Sequence, residues 1–511
     1  MKRILLVLLA AIMVFAVFAC TKTEGDKPAT TTTPGTTTPG TTTPGTTTPP
    51  ETTPPPVTTE PDPAATLDLE LQKFGGKSFR ISTPETSSEV FAEESSSHIL
   101  DIALNIRNST IEDAYDVVMK KVGVPASGIR DHVHALSEWV TSGDDLYDVS
   151  LTNAHSSSPM IANGLVKNWN NKDVFKYNNF SKNYWMNDIN EDFVIAGALY
   201  SPVGDMCISV LSYTYVVLFN RTKGDQLFVD EGTTTVTEDV FNKIDNMEWT
   251  IDYFIELTSN IYKDIDDING PSENDLYGFT SDRLTSIDVW QFAFDIPMIA
   301  RHETDYIVPV IETEKTYQMV DKLRHLYLKS NGSNTGDSDE HMIANFRNGN
   351  AVFATAVLTH CVNRIAGMGD THTILPYPMW DENQGKYLGG AMDNYSLISV
   401  PITCKDPGMV SYLIEVLNYE SRENIFPVYY ENVLKNRADD YDSIRMLDLV
   451  VAGRSFDLGT LLYEDTQGYP LVVRWAVDGD KDFSYMYGEI KRQVIAGVKY
   501  FVRKYKENAN L

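Results

Sequence analysis

The run SVLSYTYVVLFN, residues 209–220, decides the fold class. It holds β-branched and aromatic residues with no charge and no polar alternation, the pattern of a strand buried on both faces. A sheet covered on both sides needs helices to cover it, so the neighbouring segments matter. Upstream, FGGKSFRI (74–81) reads as a glycine turn leading into a strand, and YDVSL (147–151) as another strand. Between them, Ser97–Gly123 carries apolar residues at helical spacing and reads as one helix ended by Gly123, with a second helix around Leu136–Val140. Downstream, EWTIDYFIELTSNIYK (248–263) returns to the helical period with Thr250 as N-cap over Tyr253. NAVFATAVLTH (350–360) and SLISVPI (396–402) are further buried strands, and Pro407 opens a helix through Tyr419. Strands alternating with helices along the whole length mean α/β architecture with mainly parallel sheets.

The chain begins differently. Lys2 and Arg3 precede an uncharged run from Ile4 to Ala19, which is then closed by Cys20. This reads as a signal peptide over 1–19 and resembles the lipobox of bacterial lipoproteins, in which the cysteine takes lipid, palmitate included. Residues 20–66 follow as a tether whose core is TTTPGTTTPGTTTPGTTTPP (31–50). Proline removes donors, glycine adds chain entropy and nothing apolar is present to bury, so this segment stays extended. In the polyproline limit it reaches on the order of 100 Å. The arrangement predicts a membrane-anchored protein whose folded part works on the extracytoplasmic face.

About 445 of the 511 residues remain to fold, too many for one ordinary core. Lys and Arg number 42 against 71 Asp and Glu, a net charge of −29 that repels a phosphate backbone and excludes nucleic acid as a partner. Cys207, Cys361 and Cys404 are too widely spaced for a disulfide framework or a zinc pairing, and suit three buried thiols or one disulfide with a remainder.

The order of segments carries a resemblance. FGGKSFRI, RNSTIEDAY (107–115), GDDLYDVSL (143–151), VVLFNR (216–221), MEWTIDYF (247–254), NDLYGF (274–279), FRNGNAVF (346–353), ILPYPMWDENQGKY (374–387) and PVYYENVLK (427–435) occur in the order found in bacterial extracellular solute-binding proteins of ABC importers. The chain resembles the carbohydrate-binding, family 1-like group over residues 74–500, and none of these motifs is catalytic. The resemblance implies a two-lobe periplasmic-binding-protein-like fold with a ligand cleft between the lobes. Residues 67–212 and 391–430 would form lobe 1, and residues 213–390 and 431–511 lobe 2. It further implies a monomer that is not an enzyme, needs no cofactor or metal, binds a small solute such as an oligosaccharide, and meets ABC permease subunits.

Ligands of α/β lobes sit beyond the carboxyl ends of strands, and sugars call for aromatic faces with planar amides or carboxylates. The candidate ligand-binding residues are therefore Glu85, Asn153, His155, Asp205, Thr359, His360 and Asn394, with Trp290 and Trp380 for stacking. Trp139, Trp169, Trp249 and Trp475 lie in helical or apolar contexts and read as packing. Two decoys are set aside. IDDINGPSEND (265–275) has Pro271 where a calcium loop needs its fifth ligand and lacks the turn glycine and final glutamate. In DHVH (131–134) the two rings of a helix would point apart. Two rivals share the front end: a glycan-active hydrolase at the surface, and a sensing lipoprotein coupled to a signalling partner.

Overall fold

The computed structural model describes residues 65–509 apart from residues 86, 125–128, 228–234, 269, 305, 366, 436–439 and 480. The run read as a signal peptide, Cys20 and the threonine–proline repeat lie outside the described residues. In chain order the strands are β1 (Lys77–Pro84), β2 (Val117–Val124), β3 (Val149–Asn153), β4 (Tyr215–Asn220), β5 (Tyr262–Lys263), β6 (Leu276–Asp282), β7 (Ile299–His302), β8 (Tyr306–Pro309), β9 (Ser333–Gly336), β10 (Ala351–Val357), β11 (His372–Leu375), β12 (Gly389–Gly390), β13 (Ser396–Ser399) and β14 (Arg454–Ser455).

Two main sheets result. The first has the order β13-β3-β1-β2, and the second β11-β4-β10-β6-β5 with β9 also paired to β6. Every residue of β4, β6 and β10 is buried, which is why their sequences show no polar alternation. The sheets are mixed. β1 runs parallel to β2 and β3, and β10 and β9 run parallel to β6. β13 meets β3 antiparallel and β4 meets β10 antiparallel. These antiparallel members are the strands that directly follow the two crossings between the sheets. Each enters its sheet from the other one and runs against its neighbours there.

Three segments differ most from the sequence reading. The helix that opens the chain's first crossover spans Ile99–Tyr115 and stops well short of Gly123. Asp116 adopts the left-handed conformation (φ 50°, ψ 59°) and its N–H caps the Glu112 carbonyl. The β-branched pair Val117–Val118 then starts β2, whose alternating exposure marks an edge strand. The buried run 209–220 is a helical turn over Ser209–Ser212 followed by β4. The run 350–360 is likewise β10 followed by a short helix, Leu358–Asn363. Elsewhere the caps fall as read: Thr250 accepts from the Tyr253 N–H, and Pro407 sits in the first turn of Pro407–Asn424 with Asp406 accepting from Met409 N at 3.1 Å.

The C-terminal helix, Phe483–Asn508, packs along β8, and its last turns lie on residues 158–200. The Tyr505 hydroxyl donates to the Phe193 carbonyl at 2.8 Å, and Asn508 Nδ2 donates to that of Ile161 at 2.6 Å. Cys207, Cys361 and Cys404 are free, buried thiols. In the DHVH segment, within the helix Ile129–Thr141, His132 is fully buried and His134 is exposed, so the rings do point apart.

Candidate functional site

The two crossings between the sheets run side by side. Met392 N donates to the Tyr213 carbonyl at 3.0 Å, Leu358 N to that of Thr214 at 3.0 Å, and Thr214 bridges Ala391. The second crossing is also pinned to the turn after β3. Ala154 N bonds the Tyr395 carbonyl at 2.9 Å, His155 N that of Asp393 at 3.1 Å, and Asn153 Nδ2 that of Asn394 at 2.5 Å. A third clamp is Glu89, in the loop that follows β1. Its Oε1 accepts from Ser209 N at 2.9 Å and Ser209 Oγ at 2.5 Å, and its Oε2 accepts from Ser396 Oγ at 2.5 Å. One carboxylate thus ties both crossings to the first sheet, and its burial pushes the Glu89 carboxyl up against the opposing pull of the serine donors.

Above these crossings, between the carboxyl ends of strands from both sheets, lie two neighbouring cavities. The larger, about 550 Å³, is lined on one side by Pro84, Glu89, Leu151, Asn153 and Ser396, and on the other by Thr359 and Asn363. The smaller, about 290 Å³, lies between Asp282 at the end of β6, Val357 at the end of β10, Asp339 and His360. Ligands of α/β lobes bind at such strand ends. Asn394 presents a buried, unpartnered Oδ1 and Tyr429 a buried, unpartnered hydroxyl, and both residues line the larger cavity. Tyr429 stands on a π-helical turn, Val428–Leu434, of a kind that recurs at functional sites.

The sequence candidates divide accordingly. Asn153, Thr359 and Asn394 meet in the larger cavity and His360 lines the smaller one. His360 is half-buried on the first turn of its helix, and burial lowers its pKa. His155 lies beside this group, its ring edge-on to Tyr463 at 4.8 Å between centroids. Burial lowers the His155 pKa while Asp393 opposes the shift.

Four candidates lie elsewhere. Trp290 is fully buried, donates to the Tyr327 hydroxyl at 3.0 Å and packs against Phe254, Phe294 and Tyr377, so it has no face to offer a ligand. Trp380 lies under Lys322 and Lys315, at 4.9 and 5.7 Å, with its edge toward Phe294. Asp205 is buried against Arg422 at 3.3 Å with Arg454 facing it, and burial raises its pKa to about 6. Glu85 is exposed over Gly123 of β2. Trp169 and Trp249 are fully buried.

Sequence reasoning looked at the first residues past the strands and at the two crossings, and so missed Glu89, five residues beyond Pro84. The signal was there in TSSEV (86–90), a serine-rich loop with one carboxylate. A carboxylate triad of Asp264, Asp266 and Asp275 brings oxygens within 4.8 Å of one another, but Ser272, Asn274, Tyr262 and backbone N–H groups already donate to Asp266 and Asp275.

No protein-family model matches the chain, and no curated protein matches it. Solved structures do. The galacto-N-biose/lacto-N-biose I-binding protein of an ABC transporter from Bifidobacterium longum, in complex with lacto-N-biose, aligns at a TM-score of 0.53 and 12% identity over 84% of this chain and 99% of that one. An ABC-transporter solute-binding protein from Thermotoga lettingae bound with α-D-tagatose gives 0.53 and 12% over 84% and 100%. UgpB from Mycobacterium tuberculosis in complex with glycerophosphocholine gives 0.52 and 12% over 83% and 98%. The fold is therefore the two-lobe α/β fold of ABC-transporter solute-binding proteins, present over nearly the whole described chain. Among the described residues no helix is long and apolar enough to cross a membrane.

Proposed function

We propose that this chain is a membrane-tethered extracytoplasmic receptor that holds a small polar solute, an oligosaccharide, between its lobes and passes it unchanged to an ABC importer. The observation that carries the reading is the pair of cavities at the strand ends of two sheets, which lie above the hydrogen-bonded crossings and are lined with amides, hydroxyls and carboxylates. The lobes divide at residues 212–213, 390–391 and 430–431, with the last turns of the C-terminal helix resting on the first lobe. Lipid on Cys20 and the threonine–proline tether anchor the receptor while leaving it reach to meet its permease. Closure of the lobes around solute supplies the shape that the importer distinguishes from the empty receptor.

The test is a thermal-shift screen of residues 65–511 against a panel of neutral oligosaccharides, with chromatography of the recovered sugar. A ligand at a hundredfold over its dissociation constant adds about 2.7 kcal/mol of stability. A rise in Tm with the sugar recovered intact is expected. A flat response across the panel, or recovery of shortened products, would overturn the reading.

A further inference from the structure

The larger cavity combines carboxylates that no lysine or arginine faces with polar groups that have no partner. Among the described residues that line them, neither cavity has a lysine or arginine; His98 in the larger and His360 in the smaller are the basic side chains present. In the smaller one the acids are already answered. Asp337 pairs with Arg283, Asp339 with Arg364, and Asp282 accepts from the N–H groups of Leu284 and Ser286 as a helix cap. In the larger one they are not. Glu89 has only serine hydroxyl and backbone donors, and Asp101 accepts from Ser96 Oγ at 2.6 Å. Each carboxylate oxygen offers two acceptor directions, so Glu89 Oε2 retains one for a further donor. Burying a carboxylate without a counter-charge is costly, and the cost is relieved when a cation arrives with the ligand.

A second observation points to the ligand independently. Tyr429 is 4% exposed, lines this cavity, and its hydroxyl has no hydrogen-bond partner. Asn394 leaves its side-chain oxygen buried and unpartnered on the same cavity. Leaving buried groups of this kind unmet is costly, and a hydroxyl-rich ligand recovers that cost on binding.

We propose that the larger cavity takes an amine-bearing sugar, its ammonium facing Glu89 and Asp101 and its ring hydroxyls bonded by Asn153, Asn394 and Tyr429. The inference rests on the receptor reading above and narrows its substrate class. Ammonium donates three hydrogen bonds as a compact charge, which suits acceptors spread around one wall, whereas a neutral acetamido or hydroxyl group in its place leaves the buried charge unanswered.

Calorimetric titration of the full chain at pH 6 with three matched series, from one to four residues long, tests the idea: glucosamine oligomers, their N-acetylated counterparts, and glucose oligomers of the same linkage. The expected result is tighter binding of the free amines by tenfold or more, a preference that shrinks as salt rises. Glu89→Gln and, separately, Asp101→Asn should each cut that preference severalfold. Using both keeps the test open should the serine clamp around Glu89 fail without its charge. Amines bound no better than the neutral series would overturn this inference and leave the oligosaccharide receptor standing. Binding of none of the three series would overturn both.

Discussion

At the residue scale, what a side chain does follows from what surrounds it, and His132 shows this most directly. It lies fully buried in the helix Ile129–Thr141, neither ring nitrogen has a hydrogen-bond partner, and burial lowers its pKa to about 4. Folding therefore holds the ring neutral. Between about pH 6.5 and pH 4 the unfolded chain takes up a proton that the folded chain refuses, so this histidine's contribution to stability is lost as pH falls through that window. Across the whole window the loss is about 3 kcal/mol. His132→Leu fills similar space without polar atoms. It should be more stable than the parent at pH 5, with the gap narrowing toward pH 7. Urea unfolding at several pH values measures the gap, and a gap that does not change with pH would refute the account. The same logic explains what the sequence disclosed about the site. Asn153 and Thr359, at the ends of buried strands, and Asn394, at the second crossing just before one, were legible because a polar residue there has little reason to be present except a cavity. Trp290 was not, since Phe292 and Phe294 beside it suit both a wall and a core, and only the packing of Phe254 and Tyr377 from distant parts of the chain decides for the core.

At the element scale, buried strands and capped helices were readable because their causes are local. Runs such as 215–220 and 351–357 need burial on both faces whatever the topology, and Thr250 and Pro407 mark helix starts by their own chemistry. What was not readable was the end of an element whose pattern continues. Apolar spacing runs on past Tyr115, yet the backbone turns at Asp116, and pairing of β2 to β1 from Lys77↔Val117 onward supplies the reason. That pairing is long-range and has no local signature. Asp116 accepts the left-handed conformation because its short polar side chain tolerates it, whereas a β-branched residue does not. Asp116→Val should therefore cost about 1–2 kcal/mol, read as a lower urea midpoint with unchanged slope. Unaltered stability would mean that the turn is not held where β2 begins.

At the scale of the whole molecule the question is what keeps the lobes together when no solute is bound. Beside the C-terminal helix and Arg301, which bonds the Glu191, Asp192 and Val194 carbonyls, a further set of contacts crosses directly between them. Arg130, near the start of its helix in the first lobe, reaches Glu464 at 2.5 Å with its guanidinium 5.4 Å over the Tyr463 ring, and His155 meets the same ring edge-on. The segment carrying Tyr463 and Glu464 is itself fixed to the other lobe: Asp457 accepts from Met298 N at 2.7 Å and the Tyr469 hydroxyl donates to the Met298 carbonyl at 2.7 Å. Arg130 is exposed, so its ion pair is screened and contributes little; with the ring contact the two are worth about 1–2 kcal/mol. That is still a factor of about 5–30 in the ratio of closed to open forms. The described residues belong to one compact unit, and for about 445 folded residues a closed body has a radius of gyration near 22 Å. Small-angle scattering of residues 65–511 should give a value close to that for the parent. Arg130→Ala combined with Tyr463→Ala should give a larger one without loss of secondary structure, and 1 M salt should move the parent part of the way. Superimposable scattering curves for the parent and the double variant would show that closure owes nothing to this bridge, and that the crossings, the C-terminal helix and Arg301 set the angle between the lobes.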